Sequence, residues 1–216
     1  GLYHFRSGKM FLKYADEVIA NNMLVKNEFY IAPMYNLMIR DGLKVMAANT
    51  EKMHVLGAPH QFEFFVKRVI TRFGDKPIAL ASDHSGFDIK KQCKDILDTM
   101  ALPYIDVGTF TNKPCDYPDY VLQVTKLIQN NECSHGISFC RSGQGANITA
   151  NKVKGIISAL CFDEYMAEHA IKHNCSNHFS IPAKYVDKAK LKAILEVMLN
   201  TSFDGGRHFT RLFKLL

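Results

Sequence analysis

The stretch ISFCRSGQGANITANK, residues 137–152, decides how this chain is read. Ile137, Ser138 and Phe139 form a short apolar run that reads as the end of a buried strand. Two glycines follow, at 143 and 145, and the residues after Gly145 carry a helical pattern. Cys140, Arg141 and Ser142 therefore fall in a turn between strand and helix. A glycine pair at that place lets backbone N–H groups face an anion. A thiol near a helix N-terminus is placed to act as base or nucleophile.

Moving outward, the same alternation of strand and helix recurs. Gly74-Asp75-Lys76-Pro77 divides the chain. Beyond it, strands are predicted at 78–82, 104–107, 137–140, 156–161 and 178–181. Helices are predicted from Phe87 to Met100, Tyr120 to Gln129, Asp163 (as N-cap) to His173, Val186 to Asn200, and Arg207 to Leu216. Such alternation calls for an α/β fold, a Rossmann-like doubly wound parallel sheet with helices on both faces. Ligands of such sheets bind at the carboxyl ends of the strands. Before residue 74 the pattern differs, with strands expected at 1–5 and 43–48 and helices near 10–21, 29–39 and 60–73. The expected organisation is thus a small N-terminal α/β extension, 1–74, followed by a main domain, 75–216.

The 216 residues suffice for one large domain, or for a domain plus a smaller piece. No apolar run approaches the roughly 20 residues that span a bilayer, and no signal peptide opens the sequence. The first residue is glycine, from which a longer parent chain is expected. The net charge of +6 is scattered, densest in Arg207, His208, Arg211 and Lys214. No basic-aromatic stripe accompanies it, so neither nucleic acid nor membrane is expected as a partner. The six cysteines form no C-x-x-C pair and no zinc-ligand spacing. That usage fits a reducing cytoplasm, and no metal or cofactor is expected.

Reactive residues cluster after the strands: Ser82-Asp83-His84-Ser85-Gly86, Cys115-Asp116-Tyr117-Pro118-Asp119, the Cys140 turn, and Lys172-His173-Asn174 at a helix end. Arg207 and Arg211 are spaced i, i+4, so a helix places both guanidiniums on one face. That pair suits a phosphate or, equally, a solvated surface.

Six segments in order, IALASDHSGFDIKKQ, DVGTF, CDYPDY, CRSGQGANITANKVKG, KHNCSN and FDGGRHFTRLFKL, resemble the ribose-5-phosphate isomerase B and galactose-6-phosphate isomerase family over residues 77–216. The resemblance implies aldose–ketose isomerisation of a phosphorylated sugar through an enediolate. It implies substrate contacts at Asp83, His84 and Tyr117, and Cys140 as the base. Some members carry a glutamate after the second glycine; Ala146 stands there. The amides of Arg141, Ser142, Gly143, Gln144 and Gly145 are implied to hold the enediolate, with Ser142 supplying a hydroxyl. His173 matches the ring-opening acid, Asn174 a substrate contact, and Arg207 and Arg211 the phosphate ligands. Two departures stand out: Arg141 replaces a customary glycine, and Lys184 a customary arginine. They leave open a non-catalytic phosphosugar- or nucleotide-binding regulatory subunit, or a need for a sister subunit. A homodimer or higher homo-oligomer with shared sites is also implied.

GLYHF, NEFYIAPMYNLMIRDGLKV and VLGAPHQFE resemble the C-terminal end of a sugar-phosphate nucleotidyltransferase, without its glycine-rich nucleotide loop. Residues 1–74 are accordingly expected to be a remnant.

Overall fold

The computed structural model describes residues 3–49 and 59–215. The chain divides into two compact units, Gly1–Glu51 and Lys52–Leu216.

In the first unit, α1 (Gly8–Ala20) starts where the Ser7 hydroxyl accepts the Met10 N–H, and α2 (Ala32–Arg40) carries proline in its first turn. Tyr14 and Val18 of α1 pack against Met34, Leu37 and Met38 of α2. The strands expected at 1–5 and 43–48 do not form among the described residues. Among its described residues only an isolated Val25–Glu28 bridge is present, and these residues form a helical unit rather than an α/β one. An extended segment without a partner strand cannot complete a ladder, and 43–48 is mostly exposed.

Residues 59–73, expected with the N-terminal segment, belong to the second unit. Here α3 (Pro59–Phe64) runs into a wider helical turn, Phe65–Val69. Phe64 packs on Cys175, Phe203, Phe209 and Leu212, while Phe73 enters the main core.

That core surrounds five parallel strands, β1 (Ile78–Ser82), β2 (Tyr104–Asp106), β3 (His135–Cys140), β4 (Ser158–Leu160) and β5 (His178–Pro182), in the order β2-β1-β3-β5-β4. Strand periodicity sends alternate residues to opposite faces. Ile78, Leu80, Ile137 and Phe139 meet α4 (Phe87–Thr99), α7 (Glu164–Lys172) and α8 (Lys188–Asn200). Ala79, Ala81 and Cys140 face the α5 (Tyr117–Gln129) and α6 (Gln144–Asn151) side. Helices on both sides explain why β1, β3 and β5 are buried along their whole length. Asp163 caps α7 as expected, accepting the Met166 N–H. The last helix, α9 (Arg207–Leu212), stops short of the expected Leu216.

One tie was not foreseen from sequence. Lys90, on the buried face of α4, places Nζ 2.5 Å from Asp106 Oδ1 and donates to Thr109 O at 2.8 Å. Burial pushes the ammonium pKa down, and the Asp106 carboxylate opposes that shift. Among the described residues no helix is long and apolar enough to cross a membrane.

Candidate active site

From β1 the chain crosses to β2 on one side, and the later strands lie on the other, which opens a crevice beyond the carboxyl ends of β1 and β3. Asp83 stands there, directly after β1. Its N–H donates to Phe139 O at 3.1 Å, and its Oδ1 accepts the N–H groups of Ser85 and Gly86 at 2.9 Å each. One carboxylate oxygen thus caps the turn His84–Gly86, and the side chain is held rigidly beside β3. Nδ1 of His84 meets the backbone of Cys115 at 3.2 Å, which draws in the loop before α5.

Cys140 closes β3, is 4% exposed, and packs with Val121, Ala146, Ala150 and Ile156. Its carbonyl accepts the Ala183 N–H at 2.9 Å, and Arg141 O accepts the Lys184 N–H at 3.1 Å. The loop after β5 therefore runs alongside the Cys140 turn and brings Lys184 to it. Gly143, at φ +73°, takes the left-handed conformation that opens α6. A Cβ on Gly145 would enter the Tyr117 ring, so Tyr117 lies against the loop. The amides of Gln144, Gly145 and Ala146 precede the first bond of α6, Asn147 N–H to Gly143 O at 3.0 Å. They form the positive end of a helix dipole next to the Cys140 thiol.

The remaining expected residues gather elsewhere. His173 ends α7 and stacks on His208 with ring centroids 4.2 Å apart and planes 4° apart. His169 meets it edge-on at 4.7 Å, and His173 Nε2 is 3.9 Å from Asp204 Oδ2. The Asp204 N–H donates to Lys172 O at 2.9 Å, fixing the approach to α9. Arg207 and Arg211 are both exposed on α9, and Asn174 is exposed beside His173. Burial, then the charges of His173, Arg207 and Arg211, lower the pKa of His208. Sequence reasoning missed Asp204 and His208 as neighbours of His173, since 31 and 35 positions separate them from it. Donor atoms of His173, Asp204 and His208 lie within 4.8 Å of one another, and among the described residues this trio alone could hold a metal ion.

The two groups occupy opposite edges of the sheet. Cys140 pairs with Pro182 at the carboxyl end of β5, whereas Gly136 pairs with His178 at the amino end. Helix α7 returns antiparallel to the strands, so its C-cap, His173, lies at the amino edge. α8 likewise descends from β5 and delivers α9 there.

The profile of the family described as Ribose/Galactose Isomerase matches residues 78–215. The ribose-5-phosphate isomerase B of Escherichia coli is 34% identical over 137 residues, which cover 63% of this chain and 92% of that protein. The crystal structure of a ribose 5-phosphate isomerase from Thermotoga maritima superposes with a TM-score of 0.64 at 38% identity, covering 65% of this chain and 97% of that one. A Mycoplasma genitalium ribose-5-phosphate isomerase B, crystallised with bound ribulose-5-phosphate, gives 0.62 at 33% identity, covering 65% and 94%. With the parallel sheet, the switch-point crevice and the matched profile together, this chain belongs to the Ribose/Galactose Isomerase family and is an isomerase.

Proposed function

We propose that the chain interconverts the aldose and ketose forms of a phosphorylated sugar, of the ribose 5-phosphate/ribulose 5-phosphate type or a related pentose or hexose phosphate. The observation that carries this reading is the placement of Cys140. Cys140 ends β3 at the switch point, directly before the loop that opens α6. A proton next to a carbonyl is only weakly acidic, so a base needs donors that stabilise the developing oxyanion. As the base, Cys140 takes the proton from C2 of the open aldose and returns it to C1, while the hydroxyl proton on O2 passes to O1 and the carbonyl moves from C1 to C2. The amides of the Arg141–Gly145 loop and the Ser142 hydroxyl hold the enediolate oxygens. Asp83, with Oδ1 engaged in the turn, presents its other oxygen to the sugar hydroxyls beside His84 and Tyr117.

His173 is the acid that opens the sugar ring, Asn174 contacts the substrate beside it, and Arg207 and Arg211 bind the phosphate. Their place at the amino edge supports a homodimer in which each site takes its base from one chain and its acid from the other. Remote phosphate binding then supplies energy for holding the reacting carbons in place. Residues 1–74 are proposed to be a nucleotidyltransferase remnant, on sequence resemblance alone.

The test is a turnover screen by NMR, in which purified protein is mixed singly with pentose and hexose phosphates. Interconversion of one aldose–ketose pair is expected, with solvent deuterium entering at C1 or C2. A protein that binds a phosphosugar without turnover would refute the reading and leave a regulatory role.

A further inference from the structure

At the amino edge of the sheet, on the α5/α6 side, lies a cavity of about 1120 Å³. None of the residues assigned above to isomerisation lines it. Its walls include Phe64, Phe213, Ile156 and Ile157, and its cationic members are Arg68, Lys152 and Lys154; among the described residues no aspartate or glutamate lines it. Phe64 and Phe213 stand 5.5 Å apart between ring centroids, forming an aromatic wall.

Arg68 is the unusual element. Both of its terminal nitrogens, Nη1 and Nη2, are buried and have no hydrogen-bond partner among the described residues. A buried guanidinium without an anion is costly, because in return for its lost water it keeps, among the described residues, only the Phe64 ring, whose centroid is 6.0 Å from Cζ. Burial lowers its pKa only to about 10, so it stays charged at neutral pH. Among the described residues its titratable neighbours do not neutralise it. Burial raises the Cys175 thiol to about 11, and burial with the Arg68 charge lowers His135 to about 3, so both remain neutral.

We propose that this cavity is a binding site for an organic phosphate with an aromatic body, distinct from the isomerase site. The two unpartnered nitrogens of one planar fork match two phosphate oxygens, and the two lysines that line the same cavity favour a dianion over a monoanion. The apolar and aromatic walls take the planar remainder of the ligand. Adenosine monophosphate combines both halves and serves as the probe.

Isothermal titration of the full chain with AMP, adenosine and inorganic phosphate tests the proposal. AMP binds once per chain, and adenosine and phosphate each bind at least tenfold more weakly. Arg68→Met weakens AMP binding on the order of 10- to 100-fold, the range for hydrogen bonds to a charged group. Should that variant fail to fold, Lys154→Glu, at an exposed position, tests the same claim by weakening AMP binding severalfold. AMP binding persists in an Arg207→Ala/Arg211→Ala double variant, which separates this cavity from the sugar-phosphate site. The proposal is overturned by absence of AMP binding at millimolar concentration, by inorganic phosphate binding as tightly as AMP, by affinity unchanged in Arg68→Met or Lys154→Glu, or by binding lost with the two α9 arginines.

Discussion

Ser180 Oγ donates a 2.6 Å hydrogen bond to the carbonyl of Gly143, and through it β5 holds the left-handed turn from which α6 starts. Both partners are buried, and the bond lies within the loop whose amides are proposed to meet the enediolate. Ser180→Ala therefore lowers kcat about tenfold with little change in KM, because small displacements of positioned donors are expensive. Urea unfolding of the same variant shows a loss of about 1 kcal/mol. A stability loss with unaltered kcat would assign the bond to folding alone.

Cys140→Ala removes the proposed base while leaving a side chain small enough for its packed position. Isomerase activity falls about 10²–10⁴-fold, the usual contribution of a general base. Circular dichroism and unfolding midpoint stay close to those of the parent protein. Near-normal turnover in this variant would remove Cys140 from the mechanism.

Arg207→Ala and Arg211→Ala each raise KM for the phosphorylated sugar, by an amount equivalent to about 1.5–3 kcal/mol of charge-assisted contact. The corresponding free sugar, assayed at high concentration, is affected much less. Equal losses for both would show that α9 does not hold the phosphate.

Because Cys140 and His173 stand at opposite edges of one sheet, complementation tests the shared site directly. Cys140→Ala and His173→Ala proteins, each inactive alone, regain activity when their subunits exchange. A mixed dimer holds one intact site and one doubly damaged site. Exchange confirmed by native mass spectrometry without recovered activity would place both residues in a single-chain site or remove His173 from it.

Acid stability reports on the interior. His178 lies between the hydroxyls of Ser138 and Ser158, at 2.8 Å from Nε2 and 2.7 Å from Nδ1. Burial lowers its pKa to about 3, and burial aided by the Arg68 charge does the same to His135. The unfolded chain protonates both near 6.5, so between that pH and about 3 it binds two more protons than the folded protein. Their contribution is complete above pH 6.5 and is lost as pH falls, by up to about 2.7 kcal/mol per pH unit for two groups. Urea midpoints measured from pH 7 to 4 follow that slope, and His178→Gln removes about half of it. Midpoints independent of pH would contradict the buried neutral state.

The local pattern of residues was enough to determine the strands and helices after Gly74. Runs such as Ile78–Ser82 and His178–Pro182 are buried throughout and largely apolar because both faces of a parallel sheet are covered, and that leaves a plain mark in the sequence. Asp83 and the Cys140 turn were legible for the same reason, as polar residues directly after such runs. The strands expected at 1–5 and 43–48 show the limit: a strand exists only with a partner, and no local pattern records whether one arrives. Tertiary structure alone decided the rest. Strand order put β1 beside β3 and so brought Asp83 next to Cys140, and helix direction carried His173, Arg207 and Arg211 to the far edge. The contacts of Lys90 with Asp106, His173 with His208, and Arg68 with its cavity join elements far apart in the chain. Charge and aromaticity at one position say nothing about what stands across a fold. Only packing decides whether a charge is solvated, paired or buried without a partner.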